Sequence, residues 1–207
     1  MPEGQRAAAA QQDLIAHFGI YREPLLTLID ALPLPARQLA IEIGPGEGGF
    51  LPSLASRFER VVGLDNAEAM LERARQQCQD AGLDNVDCLL ADALLPQQLP
   101  LADCVVCNMV LHHMPAPAEA LKRFATLLKP GGSLVLTELC SHDQSWVRDS
   151  CGDLWLGFDQ DDIAHWAEAA GLRPGNSQYI GLRNGFQLQL LQLAKPESPS
   201  PEDRKDP

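Results

Sequence analysis

Positive charge is scarce in this 207-residue chain: 16 Lys and Arg stand against 28 Asp and Glu, a formal net charge of −12. That balance works against long-range attraction to nucleic acid or to an anionic membrane surface. No apolar run approaches the roughly 20 residues that a membrane span needs. The opening Met1-Pro-Glu-Gly-Gln-Arg6 has no apolar core of the secretory type. Internal repeats are missing. The six cysteines (Cys78, Cys88, Cys104, Cys107, Cys140 and Cys151) follow no disulfide-framework spacing. A reduced, cytoplasmic protein is therefore expected. The length suits one domain with a sizeable core.

What the chain does have is a concentrated run of glycine. Leu39-Ala-Ile-Glu-Ile-Gly-Pro-Gly-Glu-Gly-Gly-Phe50 begins as an alternating apolar strand and then places four glycines in six residues. Glycine there permits positive φ and lets a ligand approach the backbone. A helical pattern follows (Phe50, Leu51, Leu54, Ala55, Phe58). Strand, glycine turn and helix is the layout of a nucleotide-type cofactor site at a strand's carboxyl end. The spacing alone is ambiguous. Gly44, Gly46 and Gly49 satisfy the dinucleotide fingerprint, whereas Gly44, Gly46 and Gly48 satisfy G-x-G-x-G. Glu42 discriminates, because a carboxylate at the end of a buried strand needs a cationic partner and would repel a pyrophosphate.

Further along, Val61-Val-Gly-Leu-Asp65 reads as a second strand whose terminal Asp65, 21 residues beyond Gly44, is placed to accept from ribose hydroxyls. Asn66 is the expected N-cap of the next helix, which carries Met70 and ends near Gly82. Asn85 to Leu90 is strand three and leads to Asp92 and Ala93. Ala102 to Met109 is strand four, with Asn108 at its carboxyl end and His112 and His113 just beyond. Cys104-x-x-Cys107 near two histidines is not a zinc site on this reading, since positions three apart on a strand face opposite ways; no metal is expected. Pro130 is expected to stop a helix running from Pro115, with Gly131 and Gly132 reversing the chain. Phe186 to Leu193 alternates as a last strand, antiparallel to one near Gln178. Before the glycine turn, two helical pieces are expected with a break near Gly19, the second opening at Pro24.

Together, Ile41-Glu-Ile-Gly-Pro-Gly-Glu-Gly-Gly49, Leu64-Asp65 followed by Met70-Leu71, Asp92 and Leu128-Lys-Pro-Gly-Gly-Ser-Leu134 resemble the motifs of the class I S-adenosylmethionine (SAM)-dependent methyltransferases. Trp155-Leu-Gly-Phe158 and Ala169-Ala-Gly-Leu172 narrow the likeness to domains fused behind arsenic-repressor-type winged-helix regulators. The ubiquinone/menaquinone-biosynthesis methyltransferases are the next group. The resemblance covers residues 13–194, with a flexible N-terminus over 1–12 and a disordered tail over 195–207. It implies an α/β, Rossmann-like, doubly wound seven-stranded sheet, mostly parallel, with a C-terminal antiparallel strand. It also implies SAM bound by Glu42, Gly44, Gly46, Gly48, Asp65, Asn66, Met70, Asp92, Ala93 and Asn108. Tyr21 and Arg22 are candidates to face the SAM carboxylate from a lid helix. The acceptor-side candidates are Asn108, His112, Tyr21 and Trp146, and a histidine base at His112 or His113 is an open alternative. The function expected is methyl transfer to a small-molecule acceptor, without direct nucleic-acid or membrane contact, with a homodimer as the candidate assembly. The alternatives are a SAM-sensing regulatory domain with little turnover and, from the glycine spacing alone, an NAD-binding module.

Overall fold

The computed structural model describes residues 19–96, 98–182 and 185–197. The N-terminal segment expected to be flexible, the first expected helical piece (Leu14, Ile15 and Phe18) and all but three residues of the expected tail lie outside that set. Seven strands, β1 (Leu39–Ile43), β2 (Arg60–Asp65), β3 (Val86–Leu90), β4 (Ala102–Asn108), β5 (Leu128–Leu139), β6 (Arg173–Gly181) and β7 (Gln187–Ala194), form one sheet in the order β3-β2-β1-β4-β5-β7-β6. The first five pair in parallel, and β7 runs antiparallel to both β5 and β6. This is the doubly wound sheet with an antiparallel closing strand that the sequence implied.

The central strands read as continuous apolar runs because both their faces are covered. All five residues of β1 and the first six of β4 are buried. Successive side chains enter different cores, as a period of two requires. Cys104 and Val106 join the cluster made with Leu25, Leu51, Leu54 and Ala74, while Val105 and Cys107 join the one made with Leu121, Phe124 and Ile163. Cys104 and Cys107 thus project to opposite faces, for the reason that set the zinc reading aside. Helices cover both sides: α1 (residues 19–30), α2 (Leu51–Ala55) and α3 (Glu68–Asp80) against one cluster, α4 (Pro117–Thr126) and α6 (Gln160–Ala169) against the other. A short α5 (Trp146–Cys151) lies between β5 and α6 in sequence.

Three local expectations are corrected. Pro24 does not open α1 but sits inside it, where it forgoes one backbone bond on a helix held by its buried Leu25 and Ile29. Pro130 does not stop α4, which already ends at Thr126; residues from Leu128 onward pair with β4, with a register break before Ser133. Asn66 is not the cap of α3. The N-cap is Ala67, without a side-chain bond, and the Asp65 carboxylate accepts the Ala67 N–H at 2.9 Å instead.

Asp103 shows how the amino edge is fixed. It is fully buried, and its Oδ2 accepts the N–H groups of Gln38 and Leu39, both at 3.0 Å. Lys129 Nζ donates to both its oxygens at 2.9 and 3.0 Å. One carboxylate therefore ties β1, β4 and β5 at the end of the sheet opposite the glycine turn.

Candidate active site

The carboxyl ends of β1, β2 and β4 meet at the glycine turn. Gly44, Gly46 and Gly48 all take positive φ, which side chains disfavour. Gly48 is also held by space, since a Cβ there would lie 2.9 Å from the Ala74 backbone. Gly46 differs: a Cβ would meet nothing within 4 Å, so its backbone faces an open cradle. The turn is tied to β2 at two points. Gly44 N donates to Leu64 O at 2.8 Å, and Gly46 N donates to Asp65 Oδ2 at 3.2 Å. Asp65 therefore links the glycine turn to the start of α3 while each of its oxygens keeps a lone pair.

Glu42 lies 2% exposed at the floor of this turn, and its Oε2 has no hydrogen-bond partner. Burial pushes its carboxyl pKa up to about 8. Glu42, Gly44, Pro45, Gly49, Phe50 and Asn108 line a cavity of about 160 Å³. Asn108 lies beside the Tyr21 hydroxyl and works to lower its pKa, and its own Oδ1 is buried without a partner. Two orphaned acceptors thus line one small cavity, and buried polar groups are normally satisfied. The cavity is smaller than the roughly 300–1,000 Å³ of a whole ligand site. It suits the compact cationic end of a ligand, with the rest outside it. Asp65 and Met70 are half-buried and Asp92 is exposed, none of them in the lining. Ala91 N donates to Asp65 O at 2.9 Å, which sets the Asp92–Ala93 corner beside Asp65.

Tyr21 is buried, and its phenol pKa is raised by that burial and by the charges of Glu138 and Glu42, against the Asn108 hydrogen bond. It keeps its proton at neutral pH. Arg22 donates to Ser53 Oγ at 2.7 Å, so its guanidinium is engaged with α2 in this structure.

Two features of the site are absent from the sequence expectations. Met109 is the single non-glycine residue with positive φ (57°) among the described residues, strain of the kind that collects at functional sites. Glu138, near the end of β5, is fully buried. Its Oε1 accepts from the N–H groups of Val110 (3.1 Å), Leu111 (2.6 Å) and His112 (3.4 Å), and its Oε2 meets His112 Nδ1 at 2.7 Å. The rule applied to Glu42, that a carboxylate in a buried strand needs a partner, would have found it in Leu134-Val-Leu-Thr-Glu138. Glu138 shapes the 3₁₀ turn Leu111–His113. Burial works to lower the His112 pKa, but the charge and hydrogen bond of Glu138, with Asp153, prevail and raise it. For His113, burial and the neighbouring His112 lower it. Trp146 is partly exposed and donates to Gln144 Oε1 at 3.0 Å.

A seven-stranded doubly wound sheet with a glycine turn, a buried strand-end carboxylate and Asp65 at the next strand end defines a nucleotide-type cofactor domain of the class I methyltransferase pattern. Comparison with known proteins agrees. Residues 41–136 match the family model described as a methyltransferase domain. A trans-aconitate 2-methyltransferase of Methylobacterium radiotolerans is 39% identical over 117 residues, 55% of this chain and 42% of that protein. A ubiquinone biosynthesis O-methyltransferase of Idiomarina loihiensis is 32% identical over 108 residues, 52% of this chain and 44% of that protein. The chain thus spans less than half the length of these curated relatives. Among solved structures, the N-methyltransferase NodS of Bradyrhizobium japonicum in complex with S-adenosyl-L-homocysteine superposes with a TM-score of 0.69 at 22% identity, covering 85% of this chain and 87% of NodS. Residues 41–136 thus carry a methyltransferase domain, and the fold is that of the class I SAM-dependent methyltransferases. The NAD alternative has no support in these relatives, and neither does the sensing alternative. Among the described residues, no helix is long and apolar enough to cross a membrane.

Proposed function

We propose that the chain transfers a methyl group from SAM to a small-molecule acceptor. The observation that carries this reading is the pair of orphaned acceptors, Glu42 Oε2 and Asn108 Oδ1, in the cavity closed by the glycine turn. A cationic amino-acid end supplies the donors and the charge that both atoms call for. Glu42 receives the ammonium group, and the open backbone at Gly46 leaves room for the cofactor's approach. Asp65 takes the ribose hydroxyls on its remaining lone pairs. Asn66, Met70, Asp92 and Ala93 hold the adenine end, and Asn108 marks the inner limit of the site. Bound SAM supplies a methyl group already activated by its sulfonium.

The protein's task is then to align an acceptor and exclude water. Tyr21, buried beside Asn108, provides a wall rather than a base, because it holds its proton. The relatives above are named for trans-aconitate and for ubiquinone biosynthesis, both small molecules, and the acidic surface favours such an acceptor over nucleic acid. The test is production of S-adenosylhomocysteine from SAM across a panel of small carboxylic acids, phenols and amines. Acceptor-dependent turnover is expected. Tight SAM binding without turnover on any member would count against the transfer reading.

A further inference from the structure

A second group of chemistry-bearing side chains lies just past the cavity, and the methyl-transfer reading does not use it. His112, His113 and Asp153 each offer a ligand atom, and these atoms all lie within 4.8 Å of one another. His112 Nε2 and His113 Nδ1 stand 3.8 and 3.9 Å from Asp153 Oδ1. Those distances are too long for hydrogen bonds. They lie close to the separation of about 3.3 Å that tetrahedral ligands bonded at about 2.0–2.1 Å have from one another.

Asp153 is the telling member. It is 6% exposed, and the two imidazoles face its Oδ1 at 3.8 and 3.9 Å. A carboxylate so little exposed is favoured by a cation that meets it. His112 is prepared in the complementary way. Its Nδ1 is held by Glu138 Oε2 at 2.7 Å, which directs the Nε2 lone pair toward Asp153. A carboxylate on the far nitrogen of an imidazole is the usual support of a metal-binding histidine.

The backbone holds the pieces in place. Gly152 takes a left-handed conformation after α5 and turns Asp153 inward. Leu154 N and Trp155 N both donate to His112 O, at 3.0 and 3.2 Å, and Trp155 Nε1 donates to Met114 O at 2.9 Å. The Asp153 loop is thus stapled to the histidine turn. His113, the half-exposed member, now lies 3.3 Å from Gly152 O through Nδ1, a long bond that ligation would replace, and its side opens to solvent.

We infer that His112, His113 and Asp153 form a divalent transition-metal site, oriented by Glu138, with its remaining position open to solvent or to a ligand. Two imidazoles and one carboxylate suit Zn²⁺ or Co²⁺ and disfavour Mg²⁺. The site departs from the expectation of no metal, which considered the strand cysteines and not Asp153, 40 residues beyond His113 in the chain. It begins four residues beyond Asn108. If the methyl-transfer reading holds, an ion here is placed to orient an acceptor with oxygen donors; metal binding itself does not depend on that reading.

The test uses the tag-free full chain, stripped with chelator and titrated with Co²⁺ and Zn²⁺ alone. One equivalent is expected, with the absorption of low-symmetry cobalt held by nitrogen and oxygen. Asp153→Asn and His113→Ala should each weaken it at least tenfold, circular dichroism confirming that both fold. Glu138→Gln should weaken it by about 10–100-fold. Equal affinity in the wild type and in both ligand variants would overturn the inference. So would a thiolate-to-cobalt charge-transfer band, which would put the ion on the cysteines. SAM titration of the same samples reports separately on the cofactor site.

Discussion

Replacing Glu42 with glutamine separates what this residue does for folding from what it does for the cofactor. Its carboxyl ionises near 4.5 when unfolded and at about 8 when folded, because burial disfavours the charge. The folded state therefore binds more protons than the unfolded state between those values, and stability falls as pH rises through that window. Across the whole window the loss approaches about 5 kcal/mol, at about 1.4 kcal/mol per pH unit. The amide of the Glu42→Gln variant does not titrate. Urea denaturation of both proteins from pH 5 to pH 8 should show the variant gaining on the wild type by about 3–4 kcal/mol. Cofactor binding should run the other way. An ammonium group demands the ionised carboxylate, so SAM affinity should rise close to tenfold per pH unit between about pH 5.5 and 7.5, with release of about one proton at pH 7. Calorimetry in buffers of different ionisation enthalpy measures that proton directly. The glutamine variant should bind weakly and without the pH slope. A stability difference that is flat with pH, or SAM binding that releases no proton, would refute the assignment of Glu42.

Asp65→Ala should weaken SAM by about 2–4 kcal/mol through two lost charge-assisted bonds, read by calorimetry, and should loosen the glycine turn because Gly46 N loses its acceptor. Asp103→Ala should lower stability by about 3–5 kcal/mol, since Lys129 and two N–H groups lose their partner; SAM affinity of the folded fraction should not change, because Asp103 lies at the opposite end of the sheet. Gly48→Ala should destabilise by about 2 kcal/mol or more, as both its φ of 87° and the Ala74 backbone oppose a side chain; chemical denaturation measures it.

The strands and the glycine turn were legible because they depend on local patterns. Buried parallel strands appear as short apolar runs, and the glycine turn, Glu42 and Asp65 sit at run ends. What stayed hidden depends on contacts distant in sequence. Glu138 caps a turn 26–28 residues earlier in the chain, and Asp153 meets the histidine pair that ends 40 residues before it. Neither spacing carries a periodic signal. The Asn66 cap failed because α3 begins one residue later, with Ala67 at the cap position and its N–H on the Asp65 carboxylate. The Pro24 reading failed because the helix already runs from residue 19, with the buried Tyr21 packed in the turn before the proline. Tertiary packing overrides local propensity at the proline.

The most direct test of the central claim is calorimetry of the full chain with SAM and S-adenosylhomocysteine, with NAD as the comparison. One-to-one binding of both sulfur ligands in the micromolar range, and none of NAD, is the result this account predicts. No binding of either SAM or S-adenosylhomocysteine by the folded chain would contradict it.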